Sequence, residues 1–496
     1  MSALVQHYTR SRLVPLHPGK LRHSGLNWDS PVVVCACLAM TRGDSQLLLF
    51  MLGASNFPAI IAALTFAAVI LAIALNWLDL VVAGLLGAGL LRVLGIVSQE
   101  TAVSSINTGF DTIGLFFGGM VVARALIPTG IFDYLGARVL RLVRGDGRLL
   151  LLSIIALTAP ICAILPNATV VILFAPLLIR VCRKMGIDFV PPMILLVFVA
   201  NASGLLTLVG DPATFIVANS IHISFAFYLY YLSPGGLLSL IALALMLPIL
   251  FRSIWRTRVP VEDVEIPKIE HFGVLIIGLI ILTLMVTLFI VGESLPVPLG
   301  PPGAAIVGAS LMLLTIYMSG IDTVSSILSD VDWGTLLFFI CIFVMVGALD
   351  STGVIAAVGS RLRDVFGTEM SSASLIILST VGVLSSTVPN IPLVVAMVPI
   401  VRQYAASQGW ATAAQLAAGS GQLPVHVLPL FYAMMFGATL GGNGTIFGAS
   451  SNIVAAGICV REGRPLRYVE FARYGIPAMF VQLIVSAIYL KFRFLR

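Results

Sequence analysis

The sequence predicts an all-α polytopic membrane protein built from two inverted repeats, each with a re-entrant hairpin and a broken transmembrane helix. Three observations lead there. Of 496 residues, 59% are hydrophobic and only 10% charged, against about 25% charged in soluble domains. Apolar runs near the roughly 20 residues needed to cross a bilayer recur along the chain. The two halves also match one another in the order of their polar and helix-breaking residues.

Residues 1–45 are basic, polar and irregular, and read as a disordered tail; the apolar piece "VVVCACLAM" is too short to span. A first repeat is expected over 46–251, a polar connecting loop over 252–271 and a second repeat over 272–496. Candidate segments of the first half are Pro58–Leu75, Leu78–Val97, Thr112–Ile127, Leu149–Leu165, the run from Pro166 to Val181, Pro192–Leu208, the piece after Pro212, and Pro234–Phe251. The second half offers Phe272–Val291, Gly303–Met318, Thr335–Leu349, Ser374–Val388, the run after Pro389, Val427–Leu440, the piece after Asn452, and Ile476–Leu490. "FDYLGARVLRLVRGDGR" and "VIAAVGSRLRDVFG" mix arginines with apolar residues at helical spacing, as interfacial helices do.

The net charge of +6 comes largely from arginines in short connecting segments. That pattern suits anchoring beside a membrane rather than nucleic-acid binding. Six cysteines are scattered without a CxxC pair, so no disulfide framework or metal set is expected. There is no nucleotide-binding motif, which argues against ATP as a partner. No HExxH is present, and Asp211 lacks a second catalytic-type Asp in a similar segment, which argues against an intramembrane protease.

The internal match is specific. "FDTIGLFFGGMVVARALIPTG" lies 223 positions before "WGTLLFFICIFVMVGALDSTG", and the same offset sets Pro166-Asn167 on Pro389-Asn390 and Pro176 on Pro399. After an insertion, "NASGLLTLVGDPATFIVAN" aligns with "TLGGNGTIFGASSNIVAAG", where Gly204, Thr207 and Gly210 meet Gly442, Thr445 and Gly448. Paired Gly/Pro-interrupted apolar segments in two halves are the best sequence pointer to a transporter binding site. Each half has two such breaks: a Pro-Asn hairpin tip and a Gly-rich helix interruption.

A broken helix exposes N–H groups at one half-helix start, which favour anions, and carbonyls at the other half-helix end, which favour small cations. Site candidates at the breaks are Asn167, Thr169, Asn201, Ser203, Gly210, Asp211 and Thr214 in the first half, and Asn390, Asn443, Thr445, Gly448, Ser450, Ser451 and Asn452 in the second. Asp211 reads both as the N-cap of a half-helix starting at Pro212 and as a site residue.

At "LGGNGTIFGASSNIVAAGI", with "VDWGTLLFFICIFVMVGAL" before it, the chain resembles the ion transporter superfamily. The branch it looks most like holds the melanosomal P protein, NhaD-type Na+/H+ antiporters and arsenite permeases. The divalent anion/sodium symporters and citrate carriers are more distant. The resemblance implies a scaffold, a transport domain with two hairpins and two unwound helices, and a homodimer that works as an elevator. "PNAT" is similar to Na+-holding hairpin tips, and "GDPAT" to the family's "GDPPN", with Asn452 at the equivalent place in the second repeat. These matches imply Na+ at Asn167, Asp211, Asn390 and Asn452. Where P-protein-like relatives carry Asp-Asn at both tips, this chain has Pro166 and Pro389, and Thr214 replaces the final Asn. Only Asp211 is left as an obvious titratable group.

The expected function is therefore secondary active transport of a small inorganic or carboxylate anion, citrate-like, coupled to Na+ or H+, with no cofactor and no enzymatic activity. Na+/H+ antiport or arsenite efflux is the alternative, and a passive channel is separated from both by its failure to concentrate substrate. The expected partners are the small ionic substrate, the lipid bilayer and a second copy of the chain, and the expected location is the plasma (inner) membrane.

Overall fold

The computed structural model describes residues 57–75, 77–259, 268–412, 415 and 423–495. The tail expected over 1–45 and the middle of the connecting loop (260–267) lie outside the described residues. Pro58–Arg496 form one unit, and no strand is present among the described residues.

The first half runs through α1 (Phe57–Ala74), α2 (Leu80–Val93), α3 (Gln99–Ala125), α4 (Ile131–Val143), α5 (Gly147–Cys162), α6 (Asn167–Lys184), α7 (Val190–Ser203), α8 (Pro212–Ser220), α9 (Phe225–Tyr231) and α10 (Ser233–Leu250). The second runs through α11 (Phe272–Val291), α12 (Pro301–Ser319), α13 (Trp333–Ser351), α14 (Val354–Phe366), α15 (Met370–Ser385), α16 (Asn390–Ser407), α17 (Leu428–Gly441), α18 (Ser450–Arg461) and α19 (Tyr468–Phe494). Local chemistry sets the starts: Asp79, Ser98, Asp211 and Asp332 each accept from a backbone N–H of the first turn they precede. Among the described residues seven helices are long and apolar enough to cross a membrane, or eight if α8 and α9, bent by 111°, count as one. The protein is an integral, multi-pass membrane protein.

α4, α5 and α6 begin 223 residues before α14, α15 and α16, and α7 and α8 begin 238 residues before α17 and α18. The repeats are inverted. A Cβ on Gly347 would meet the Ser105 hydroxyl and one on Gly109 the Phe343 ring, while Phe116 lies edge-on to Phe339, 6.2 Å between centroids. The equivalent helices α3 and α13 therefore pack antiparallel across a pseudo-two-fold axis. The pair α10 and α19 does the same, with Gly235 against Tyr489 and the hydroxyls of Ser239 and Ser486 3.3 Å apart. Contacts across the halves are reciprocal: α8 packs on α16 and α17, α18 on α6 and α7.

Two segments start well before their expected bounds: α19 begins at Tyr468, eight residues before Ile476, and α3 is earlier still. The span expected from Thr112 is α3, which begins at Gln99, 13 residues earlier. The polar stretch "QETAVSSINTGFD" lies between two expected segments, yet Ser98 caps it as a helix through Thr101 N–H at 3.0 Å. Ser104, Ser105 and Thr108 donate to carbonyls of their own helix at 2.7–3.1 Å. Hydroxyls that bond back to the helix need no outside partner, so the helix propagates through them.

Candidate functional site: two hairpin tips and two broken helices

The two breaks are held to the hairpins by the same device twice. Thr207 donates its hydroxyl to the Ala163 carbonyl, and its counterpart Thr445 donates to the Ser386 carbonyl. A Cβ on Gly210 would come within 2.6 Å of the Cys162 carbonyl oxygen, and one on Gly448 within 2.7 Å of that of Ser385. Each Gly-rich interruption thus lies directly on the backbone of its own hairpin, where only glycine allows that approach.

This stapling brings four helix N-termini together: α6 at Asn167, α8 at Pro212, α16 at Asn390 and α18 at Ser450. Asp211 lies among them, with no exposed surface. One carboxylate oxygen accepts from Asn167 Nδ2 at 3.1 Å and Asn390 Nδ2 at 3.3 Å, one amide from each hairpin tip. The other accepts from the Thr214 N–H at 3.1 Å, as the N-cap of α8, and from the Thr439 hydroxyl at 3.3 Å. Among the described residues no ion pair includes Asp211. It is a buried carboxylate held by neutral donors alone.

Beside it, Asn201 is the hub of an amide network. Its Nδ2 donates to Asn443 Oδ1 (3.0 Å) and Asn452 Oδ1 (2.9 Å). Its Oδ1 accepts from Asn167 Nδ2 (3.2 Å) and Ser451 Oγ (2.5 Å). Asn452 Nδ2 donates to the Gly442 and Thr445 carbonyls at 2.7 and 2.8 Å, and Asn443 Nδ2 to Gln482 Oε1 at 2.9 Å. Buried amides with complete networks are rigid, and each missing partner is costly.

Of the residues expected from the sequence, Asn167, Asn201, Asp211, Thr214, Asn390, Asn443, Ser451 and Asn452 share this one network. Thr445, Gly210 and Gly448 support it through the staples. Ser203 donates to the Val199 carbonyl of its own helix at 2.5 Å. Thr169 lies one turn into α6 and Ser450 opens α18, both half-buried. Thr439 and Gln482 join the network without having been singled out. Thr439 is the counterpart of Asn201 in the repeat alignment, and Gln482 is a lone amide in an otherwise apolar run of α19. Either feature marks a polar group that needs a partner in the membrane.

The family model for the citrate transporter family matches residues 70–419. An uncharacterized transporter of Synechocystis is 51% identical over 88% of this chain and 97% of its own length. An uncharacterized transporter of Mycobacterium bovis is 33% identical over 88% of this chain and 98% of its own. The human P protein is 25% identical over 98% of this chain and 67% of its length. Among solved structures, the YdaH transporter of Alcanivorax borkumensis shares the fold, with a TM-score of 0.54 at 12% identity over 87% of this chain and 97% of that one. A family match across most of the chain, with near full-length relatives, establishes what the hairpins and broken helices belong to: this chain is a transporter of the citrate transporter family.

Proposed function

We propose that the protein is a secondary active transporter that carries a small anion, inorganic or carboxylate, coupled to Na+ or H+ bound at Asp211. The observation that carries this reading is the meeting of four helix N-termini around one carboxylate. Each N-terminus presents unpaired N–H groups and about half a positive charge. Only α8 has a side-chain carboxylate as its cap; Pro166, Pro389 and Ala449 leave the other three without a side-chain cap. Such a site has donors left over for an anion, while Asp211 and the amide oxygens around it suit one small cation or a proton. Asn167 and Asn390, whose amides meet Asp211, and Asn452 in the adjoining network are the side chains that would share Na+ with it. The hairpins and broken helices, moving as one body against α3 and α13 in a homodimer of the plasma membrane, would carry the site across.

The test is uptake into proteoliposomes of labelled citrate, succinate, sulfate and arsenite, each with and without inward Na+ and proton gradients. Gradient-driven accumulation of one carboxylate or inorganic anion, lost in Asp211→Asn, is the expected result. Na+/H+ antiport is the second reading, favoured by the hydrogen bonds from both hairpin tips to the same titratable carboxylate. A sodium pulse that alkalinises acid-loaded vesicles without any anion, and fails to do so in Asp211→Asn, would replace the first reading with the second.

A further inference from the structure

The polar stripe of α3 lines a cavity outside the buried amide network. Asp111 lies 12 residues into α3, about 18 Å along it at 1.5 Å per residue. A carboxylate inside a helix apolar enough to span is costly against lipid and calls for a wet or partnered setting. It faces a cavity of about 520 Å³ bounded by α3, α8, α13 and α16. Along its polar side, Asp111 and Asp350 are exposed, the Asn219 amide donates to Asp111 at 3.4 Å, and the Arg402 guanidinium donates to the Ser220 carbonyl. At the floor the lining turns apolar and closed: Ile216 is 7% and Phe343 8% exposed, with the buried Thr112 beside them.

One turn inward from Thr112 and Phe343, and next to Ile216, three phenylalanines meet. Phe116 lies edge-on to Phe215 at 6.5 Å and to Phe339 at 6.2 Å, and all three are buried. Phe215 follows Thr214 directly, and its N–H donates to the Asp211 carbonyl at 3.0 Å. The rings therefore lie one turn from the cavity lining on α3 and α13 and one residue from Thr214 on α8. Phe116 and Phe339 are equivalents across the pseudo-two-fold axis, on α3 and α13, whereas Phe215 rides on α8. The polar lining is one-sided: the repeat counterparts of Asp111, Asn219, Asp350 and Arg402 are Gly334, Gly457, Ile127 and Ile179.

We propose that this cavity is the water-filled mouth of the transport pathway, taking small hydrated ions, and that Phe116, Phe215 and Phe339 form the apolar gate between it and Asp211. The inference rests on the transport reading above. A dry aromatic contact stops a hydrated ion because its polar shell finds no partner there. Movement of α8 against α3 and α13 parts Phe215 from the other two rings, so the gate opens only when the site itself moves.

Thiol labelling tests this without knowing the substrate. Ser105→Cys reports the cavity and Ala213→Cys the far side of the rings, each in sealed vesicles exposed on one face and then the other to a membrane-impermeant maleimide. The unsubstituted chain sets the baseline. Ser105→Cys is expected to label from one face only. From that face Ala213→Cys stays unlabelled until Phe116→Ala is added, which raises its rate at least about tenfold as the protected site opens. If Phe116→Ala loses its monodisperse elution profile, Phe339→Leu takes its place. No labelling of Ser105→Cys from either face, or equal labelling of Ala213→Cys with and without the rings, overturns the proposal. The expected labelling in a protein that concentrates none of the tested ions would support the gate while sinking the transport reading.

Discussion

Asn201 does more for the site than its neutral side chain suggests. It donates to Asn443 and Asn452 and accepts from Asn167 and Ser451, so it couples the first hairpin to the second broken helix. Asn201→Ala leaves buried acceptors and donors unpaired, at about 1–3 kcal/mol for each group left without a partner. A fall in detergent-solubilised melting temperature together with loss of transport is expected, measured by fluorescence-monitored unfolding. Asp211→Asn behaves differently. It keeps the shape but has one oxygen, for either the tip amides or the α8 N–H, and turns an NH2 towards the donors on the other side, so folding should persist at lower stability while gradient-driven accumulation disappears. Retention of coupled uptake in folded Asp211→Asn would remove the carboxylate from the mechanism.

Among the elements, the staples decide whether the broken helices stay broken in the right place. Thr207 and Thr445 make the same bond in the two repeats, half-buried in the first and buried in the second, so Thr207→Val and Thr445→Val should destabilise by similar amounts, about 1–3 kcal/mol each. Unequal losses in a chemical unfolding series would show that the two hairpins are not equivalent supports. The α15–α17 contact has a first-half counterpart in α5–α7, but glycines set it closer. Gly437 and Gly441 lie on the α15 backbone, where a Cβ on Gly437 would come within 2.7 Å of the Leu378 carbonyl oxygen and one on Gly441 would meet that of Gly382. Gly441→Val should cost about 1–3 kcal/mol or more, since backbone cannot move aside as a side chain can, and should show as reduced yield of monodisperse protein. The first half has Ser203 where the second has Gly441, so the two hairpin packings differ in their spacing.

For the whole molecule, the two halves are woven rather than juxtaposed: α8 packs on the hairpin of the second half and α18 on that of the first. On the transport reading, hairpins and broken helices move as one body against α3 with α13. Two cysteine pairs separate these cases. Asp111→Cys with Asn219→Cys bridges α3 to α8, and its oxidation should arrest transport until a reductant is added. Ser239→Cys with Ser486→Cys bridges α10 to α19 beneath the site, where the hydroxyls are already 3.3 Å apart, and its oxidation should leave transport running. Arrest by the second pair, or continued transport with the first fully oxidised, would refute motion between these bodies. At one surface, Arg464 joins Asp188 and Glu470 at 2.8 Å, and Arg183 joins Glu462 at 2.7 Å, linking loops from the two repeats. Exposed pairs like these contribute about 0–1 kcal/mol each.

The sequence alone determined the class, the repeat and the breaks, because each is written in local chemistry. Membrane crossing demands apolar length, a duplicated unit repeats its Pro-Asn and Gly positions, and Asp211-Pro212 is a helix start wherever it occurs. What it obscured was any polar residue whose partner is distant or whose helix context is misleading. Thr439 and Gln482 look like incidental polar groups until Asp211 and Asn443 are seen beside them, and Gln99–Asp111 falls outside the apolar runs until its hydroxyls are seen bonding back to their own helix. Only the tertiary structure decided that both tip amides share one carboxylate oxygen, that Asn201 links the halves, and that three phenylalanines close a polar cavity from one side. Those are facts of convergence: side chains hundreds of residues apart meet only because inverted repeats fold about a common axis, and no spacing along the chain records where that axis runs.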